Sequence, residues 1–237
     1  MELPILYEDS DIVAVAKPSG LLTHTDGKSE AATAEDWFKE RYPENTAALS
    51  PEATMYVHRL DRDTSGVLVF AKNAAAHEFL RKAFHDRDVK KTYLAFVYGV
   101  PTERKGVIDF DIGRSRKDFR LRSAQPKAKG KLRNALTAYE VIGETEGYSM
   151  LKVNPETGRT HQIRVHLKAI HHPVIGDSLY APNHDLGLGI SRLALHAYSL
   201  EIPLPGGNRV LITAPIPSDL APAYQHFPNT AEKFAVL

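Results

Sequence analysis

The chain has 237 residues, with 30 lysines and arginines against 29 aspartates and glutamates. This length suits one large domain or two small ones, and the 43% of hydrophobic residues can build a substantial core. The absence of cysteine excludes disulfides, thiolate metal sites, iron–sulfur clusters and a cysteine nucleophile. The acidic start lacks the basic region of a signal peptide, and no apolar run is long enough to span a bilayer. We therefore expect a cytoplasmic protein without a membrane partner.

Strand-like segments rich in β-branched and aromatic residues outnumber helical ones along the chain. The predicted strands are Ile12–Val15, Val67–Ala71, Tyr93–Tyr98, Val107–Ile112, Thr137–Ile142, Ser149–Val153, Leu193–Ile202 and Val210–Thr213. Three helices are predicted: one from Thr33 with Asp36 in a near capping-box position, one capped by Asn73, and one from about Thr160 to Ile170. Because strands and helices do not alternate regularly, we predict an α+β fold with a largely antiparallel sheet.

The net charge of +1 hides a basic stretch between Arg114 and Arg133. This stretch holds nine lysines and arginines and a single acid, Asp118, so its net charge is +8 and the rest of the chain carries −7. Such a concentration of cations is a candidate footprint for phosphate groups. A solvated basic loop accounts for the charge equally well.

The densest polar cluster is His58-Arg59-Leu60-Asp61-Arg62-Asp63-Thr64-Ser65-Gly66, directly before a predicted buried strand. The flanking arginines should keep Asp61 ionised, because a nearby opposite charge favours the charged form. An ionised, fixed carboxylate can act as a nucleophile, as a base or as one side of a salt bridge, and the pattern alone favours the salt bridge. A kinase catalytic loop is excluded, because Leu60 separates the arginine from the aspartate and no glycine-rich loop is present.

The segment 157–172 combines a turn, a predicted helix and four histidines. The turn Thr157-Gly158-Arg159-Thr160 leads into helix amides that favour anions. The five-residue spacing of His161 and His166 sets their side chains roughly 140° apart, so we predict hydrogen-bonded or solvated histidines and no metal site. Arg164 lies near the core-facing side of the helix, where a cation needs a carboxylate partner, and Asp61 is the candidate.

Three segments together resemble the RluA-type family of RNA pseudouridine synthases. They are HRLDRDTSG at 58–66, KKTYLAFVYG at 90–99, and TGRTHQIRVHL at 157–167 with PVIGDSLY at 173–180. The opening LYEDSDIVAVAKPSG also looks like the start of the family. The resemblance implies a pseudouridine synthase fold, with a mixed, mainly antiparallel sheet, flanking helices and a central active-site cleft. It also implies a single catalytic domain over 1–237, with a core of roughly 6–215 and no separate RNA-binding domain, since the S4 domain of some members is missing.

By this resemblance the chain is an isomerase that converts a specific uridine in structured rRNA or tRNA to pseudouridine. The N1–C1′ bond breaks, the uracil rotates and C5 joins C1′, so the resemblance implies no cofactor. Asp61 is the implied catalytic carboxylate, which attacks C1′ or takes the C2′ proton, and both routes stay open. Tyr93 is expected to stack on the uracil and to remove the C5 proton, although a buried strand aromatic explains it equally. Arg164 is expected to pair with Asp61.

The expected substrate contacts begin with Arg59, which would fill the space left by a flipped uridine or clamp the flanking phosphate. A surface ion pair is the alternative for this residue. Thr64 is included with the substrate-binding residues, and with Ser65 and Gly66 it shapes the loop around Asp61. The cations expected to contact RNA phosphates are Arg116, Lys117, Arg120, Lys129 and Lys131. The expected partner is an rRNA or tRNA stem-loop, bound by a monomer that needs no partner protein.

Two other function classes are compatible with parts of the pattern. One is a catalytically idle RNA-binding module or RNA chaperone on the same scaffold, against which the presence of Asp61, Tyr93 and Arg164 argues. The other is a histidine–metal hydrolase. Elemental analysis that finds no stoichiometric metal in active protein would exclude it.

Overall fold

The computed structural model describes residues 1–25, 27, 31–47, 54–116, 118, 121–124 and 128–234, of which 46, 47, 129 and 231–233 are described by backbone alone. The strands are β1 (Ile5–Glu8), β2 (Ile12–Lys17), β3 (Ser65–Ala71), β4 (Lys90–Tyr98), β5 (Lys105–Asp109), β6 (Ile112–Arg114), β7 (Arg122–Ser123), β8 (Lys129–Arg133), β9 (Leu136–Thr145), β10 (Tyr148–Pro155), β11 (Leu195–Pro203) and β12 (Arg209–Thr213). The helices are α1 (Ala34–Arg41), α2 (Pro43–Ala47), α3 (Ala74–His85), α4 (Gln162–Ala169), α5 (Ala221–Gln225) and a 3₁₀ helix (Pro228–Lys233).

The chain folds into two compact units. The first unit comprises Met1–Lys90 and Ala197–Ala214, and the second comprises Lys91–His196 and Pro215–Leu237. Each unit has its own strands and its own helices.

The first unit contains the strand order β1-β2-β3-β11-β12, with β3 buried along its whole length. Val67 and Val69 pack on one face of β3 with Leu80 of α3. On the other face, the ring of Phe70 stacks on Phe38 of α1, with centroids 5.0 Å apart. Because both faces are covered, β3 is a continuous apolar run rather than an alternating one.

The first two predicted helices are confirmed with their caps. The Thr33 side chain accepts a bond from the Asp36 N–H, and the Asp36 carboxylate accepts one from the Thr33 N–H, which makes a complete capping box. At α3, the Asn73 side chain accepts a bond from the Ala76 N–H at 2.8 Å. These caps satisfy amides that have no partner within the helix.

The second unit contains the antiparallel strand order β4-β10-β9-β5 and a separate three-stranded antiparallel sheet, β7-β6-β8. We call this three-stranded sheet the basic sheet, because most of it lies in the basic stretch between Arg114 and Arg133. Its strands are Ile112–Arg114, Arg122–Ser123 and Lys129–Arg133. The described part of the basic stretch is therefore largely strand.

Most predicted strands are confirmed with ends shifted by up to three residues, and two differences bear on the candidate site. The prediction of a single strand over Val107–Ile112 is wrong. Strand β5 ends at Asp109, and β6 begins at Ile112 in the other sheet. Between them, the Phe110 carbonyl is bonded to the side chain of His166 rather than to a neighbouring strand. Helix α4 begins at Gln162 rather than near Thr160. The preceding turn is held by the Gln162 side chain, which accepts a bond from the Arg159 N–H.

The predicted α+β class with a largely antiparallel sheet is confirmed, since the pairings between named strands are antiparallel wherever their register is described. Elements absent from the prediction are β1, β7, β8, α2, α5 and the 3₁₀ helix. Across the described ranges, no helix is long and apolar enough to cross a membrane.

Candidate active site

Asp61 lies in the first unit on a loop whose backbone is fixed on both sides. The neighbouring Leu60 donates its N–H to the Thr23 hydroxyl at 3.2 Å and accepts that hydroxyl on its carbonyl at 3.0 Å. The carbonyl of Asp61 accepts the Thr64 N–H at 3.1 Å, and the carbonyl of Arg62 accepts the Gly20 N–H at 2.9 Å. The side chain of Asp61 is only half-buried. The loop thus fixes the backbone at Asp61, and the residue remains partly exposed to solvent.

A buried lysine braces the same loop. Lys17, at the end of β2, is 1% exposed and donates from Nζ to the carbonyls of Pro18 at 2.9 Å, Leu21 at 2.7 Å and Arg62 at 3.0 Å. The Ser19 hydroxyl adds a bond to the Asp63 carbonyl at 2.8 Å. Lys17 is absent from the predicted site residues. The available signal was a lysine directly after an apolar strand, followed by Pro-Ser-Gly.

The other residues of the polar cluster shape the loop. His58 accepts the Val69 N–H on Nε2 at 3.1 Å, and its ring stacks on Phe84 with centroids 4.9 Å apart. Gly66 has φ +122°, and a Cβ there would overlap the backbone of Ala197, so only glycine fits. Thr64 is 2% exposed. These positions support the loop-shaping role, while contact of Thr64 with RNA stays a prediction.

Arg59 is exposed and rests on an aromatic stack. Its Nη1 lies 3.3 Å from Nε2 of His24, and the ring of His24 stacks on Tyr56 with centroids 4.8 Å apart and planes 15° from parallel. In this contact the arginine meets an imidazole rather than the carboxylate of a surface ion pair.

Arg164, in the second unit, forms a buried bidentate ion pair with Asp177. Its Nε donates to Asp177 Oδ2 at 2.7 Å and its Nη2 to Oδ1 at 2.8 Å, with the two side chains 4% and 0% exposed. Oδ1 also accepts the N–H groups of Leu179 and Tyr180, each at 3.0 Å. A carboxylate partner for Arg164 was predicted, but Asp177 was not, and its signal in the sequence was its place in PVIGDSLY. The pairing of Arg164 with Asp61 stays a prediction.

Tyr180 links this ion pair to the basic sheet. The Arg164 guanidinium lies 5.2 Å from the centroid of the Tyr180 ring, a cation–π contact. The Tyr180 hydroxyl accepts the N–H of Arg122 on β7 at 2.9 Å and lies 2.9 Å from Nδ1 of His161. The ring also packs with Ile112 of β6. The basic sheet is therefore anchored to the residues that hold Arg164.

The basic sheet places like charges across neighbouring strands. Arg114 of β6 pairs in register with Arg122 of β7 and with Lys129 of β8. Like charges directly opposite each other destabilise a sheet, and a bound anion would relieve that repulsion. The exposed cations of this region are Arg114, Arg116, Lys131 and Arg133. The predicted contacts Lys117 and Arg120, and the side chain of Lys129, lie outside the described residues.

Tyr93 lies on β4, in register with Val153 of β10, and is half-buried. Its predicted roles in stacking and proton removal stay predictions.

A buried polar network fixes α4 to the sheet of the second unit. Thr157 donates to Gln162 Oε1 at 2.7 Å, and Gln162 Nε2 donates to Thr137 Oγ1 at 2.9 Å. His166 Nε2 lies 2.9 Å from the Phe110 carbonyl and must donate there, so Nδ1 of the neutral ring accepts the Thr137 hydroxyl at 2.9 Å. Burial lowers the pKa of His166, which is fully buried. The network is complete when His166 is neutral.

Stability should therefore depend on pH through His166. Above about pH 6.5 the ring is neutral in both states. As the pH falls below that value, the unfolded chain binds a proton that the folded state binds only at lower pH, so the free energy of unfolding falls. Urea unfolding between pH 7 and pH 5 should show a larger loss for the wild type than for His166→Gln. Equal losses in the two proteins would contradict this assignment.

Three of the four histidines of segment 157–172 contact protein groups through their side chains. His161 lies at the Tyr180 hydroxyl, His166 at Thr137 and Phe110, and His172 Nδ1 lies 2.9 Å from the Tyr98 carbonyl. No group of three or more histidine, aspartate or glutamate side chains that could hold a metal ion occurs in the part of the chain that the structure describes.

Comparison with known proteins gives a consistent result. The family profile described as RNA pseudouridylate synthase matches residues 11–169. The chain is 36% identical to the RNA pseudouridine synthase YhcT of Bacillus subtilis over 92% of its length and 70% of that protein. It is 37% identical to the ribosomal large subunit pseudouridine synthase D of Nitrosomonas europaea over 96% of its length and 66% of that protein.

Among solved structures, the human RNA pseudouridylate synthase domain containing 1 superposes with a TM-score of 0.72 at 30% identity. The superposition covers 90% of this chain and 83% of the human one. The family match contains the loop of Asp61, the strand of Tyr93 and the helix of Arg164. The chain has the pseudouridine synthase fold and belongs to the RluA-type family of RNA pseudouridine synthases, which are isomerases.

Proposed function

We propose that this enzyme isomerises a specific uridine in a stem-loop of structured rRNA or tRNA, with Asp61 as the catalytic carboxylate. The observation that carries the proposal is the bracing of the Asp61 loop by Thr23 and Lys17, while the Asp61 side chain stays half-buried. A fixed, solvent-reachable carboxylate is what a nucleophile or a base needs.

In the proposed reaction, Asp61 either attacks C1′ or removes the C2′ proton while the N1–C1′ bond breaks. The freed uracil rotates and C5 bonds to C1′, either as the Asp61–C1′ bond breaks or as Asp61 returns its proton to C2′. The C5 proton is then lost, and N1 takes up a proton. We assign the removal of the C5 proton and the stacking of the uracil to Tyr93. We assign to Arg164 the electrostatic support of Asp61, with Asp177 orienting the guanidinium through two hydrogen bonds. These steps need no cofactor.

Release of tritium tests this reaction, because isomerisation replaces the C5–H bond of the target uridine. Total RNA labelled as [5-³H]uridine, taken from cells that lack the gene, should release tritium when the purified enzyme is added. No release from any rRNA or tRNA fraction would overturn the proposed function.

The RNA class is inferred from two observations. The Nitrosomonas relative is described as a ribosomal large subunit enzyme, and the basic sheet offers exposed cations next to the residues that hold Arg164. We propose that the basic sheet contacts phosphates and thereby sets the register of the RNA. We also propose that the enzyme acts as a cytoplasmic monomer.

Neutralising two cations of the basic sheet and the neighbouring Arg116 should flatten the salt dependence of RNA binding. The triple variant Arg114→Gln, Arg116→Gln, Lys131→Gln should reduce the slope of log K against log salt by roughly 2 to 3, because each lost phosphate contact removes about 0.7 to 0.9. Filter binding at several salt concentrations measures the slope.

The matched control removes three other exposed cations, with Arg81→Gln, Arg104→Gln and Lys105→Gln. These side chains pair with Glu78, Glu144 and Glu140. Both triple variants lower the net charge equally, so equal slopes would show that the sheet is not the phosphate site.

A further inference from the structure

Close to Asp61 in the sequence, Arg59 contacts the edge of a stacked pair of rings. The rings of His24 and Tyr56 stack with centroids 4.8 Å apart, and the exposed Arg59 places Nη1 3.3 Å from Nε2 of His24. Arginine cannot accept a hydrogen bond, so Nε2 of His24 is the acceptor in this contact. We call these three residues the stacking platform.

The platform is attached to rigid backbone. His24 directly follows Thr23, and Arg59 directly precedes Leu60, and these two neighbours are joined by the pair of hydrogen bonds at 3.0 and 3.2 Å. Tyr56 forms a β-bridge with Phe70 of the fully buried strand β3. Rings held in this way lose little freedom on binding a ligand, which favours affinity.

The chemistry of the platform fits an unpaired nucleotide. Flat aromatic and imidazole rings stack on a nucleobase, and an arginine at their rim supplies a cation for its phosphate. Arg59 and Asp61 are two positions apart in the sequence, a distance of about 7 Å along an extended chain, which is the scale of one nucleotide.

We propose that the stacking platform binds the nucleotide adjoining the target uridine. Its base stacks on the rings of His24 and Tyr56, while Arg59 leaves His24 and contacts the phosphate. This inference rests on the proposed function, because it takes Asp61 as the place where the uridine reacts.

The test pairs enzyme variants with altered RNA. The substrate is the stem-loop that releases tritium with wild-type enzyme, synthesised as such or with an abasic nucleotide on the 5′ or 3′ side of the target uridine. We expect His24→Asn, and independently Tyr56→Leu, to raise KM for the intact RNA roughly tenfold, with the effect on KM rather than kcat, because each removes a stacking ring. His24→Phe should restore much of the binding, because it restores a ring.

The abasic RNA distinguishes binding from folding. On the RNA that lacks the stacked base, wild type and His24→Asn should have the same KM. His184→Asn serves as the matched control. It also removes a histidine ring that contacts a tyrosine ring, with centroids 4.5 Å apart, but His184 and Tyr98 belong to the second unit.

Three results would overturn the proposal: an unchanged KM for both ring-removing variants, a tenfold effect that persists on both abasic RNAs, or an equal effect of His184→Asn. If no RNA releases tritium with wild-type enzyme, the proposed function is wrong and the platform has no such ligand. If RNA reacts but one of these three results is found, only the platform is wrong.

Discussion

Asp177→Asn is expected to lower the free energy of unfolding by about 3–5 kcal/mol, because it removes the carboxylate of a buried, bidentate ion pair with the Arg164 guanidinium. The pair is bidentate and its side chains are 4% and 0% exposed, so water cannot replace the lost carboxylate. The midpoint of thermal unfolding should fall by roughly 6–20 °C for a chain of this size. Urea and thermal unfolding measure both quantities.

The chain offers a matched control for this variant. Arg192 and Asp219 form an ion pair at the same 2.7 Å distance, but the Asp219 side chain is 53% exposed. Asp219→Asn should therefore cost at most about 1 kcal/mol. Similar costs for the two variants would show that burial of the Arg164 pair contributes little.

Asp61→Asn is expected to lower turnover by roughly a thousandfold or more while RNA binding is retained. Asparagine has nearly the same shape and leaves the backbone bonds of the loop in place. It cannot act as a nucleophile towards C1′ or accept a proton from C2′. Single-turnover tritium release measures the chemical step, and filter binding measures the affinity.

Asp63→Asn is the control, since it removes the same charge two residues away on the same loop. Asp63 is half-buried, and its described loop contact is made by its backbone carbonyl, which accepts the Ser19 hydroxyl. Turnover should stay close to wild type. Comparable losses in the two variants would point to the charge of the loop, and not to Asp61, as the important factor.

Local signals predicted much of the fold. The capping box of α1 needs only Thr33 and Asp36, three residues apart, and the cap of α3 needs Asn73 and Ala76. Such contacts are encoded within one helical turn, so the sequence alone reveals them. The buried strand β3 was likewise visible as a continuous apolar run.

Tertiary contacts account for what the sequence did not reveal. The predicted strand through Phe110 is broken because His166, 56 residues away, bonds to the Phe110 carbonyl. Lys17 acts on the carbonyl of Arg62, 45 residues away. No local periodicity reports a hydrogen bond between such distant segments.

The candidate site shows the same limit. The position of Arg164 on the buried side of its helix correctly predicted the need for a carboxylate. The choice of Asp177 depends on a turn at 174–177 that brings the carboxylate back to the helix, with Gly176 at φ +71°. The roles of Asp61 and Tyr93 came from the resemblance to a family, since an aspartate between arginines alone favours a salt bridge.

Mapping pseudouridine in cellular RNA tests the central claim most directly. The map is compared for cells with the gene, cells without it, and deleted cells that express either the wild type or Asp61→Asn. We expect at least one pseudouridine in rRNA or tRNA to disappear on deletion, to return with the wild type, and to stay absent with Asp61→Asn. An unchanged map after deletion, or full restoration by Asp61→Asn, would contradict the account.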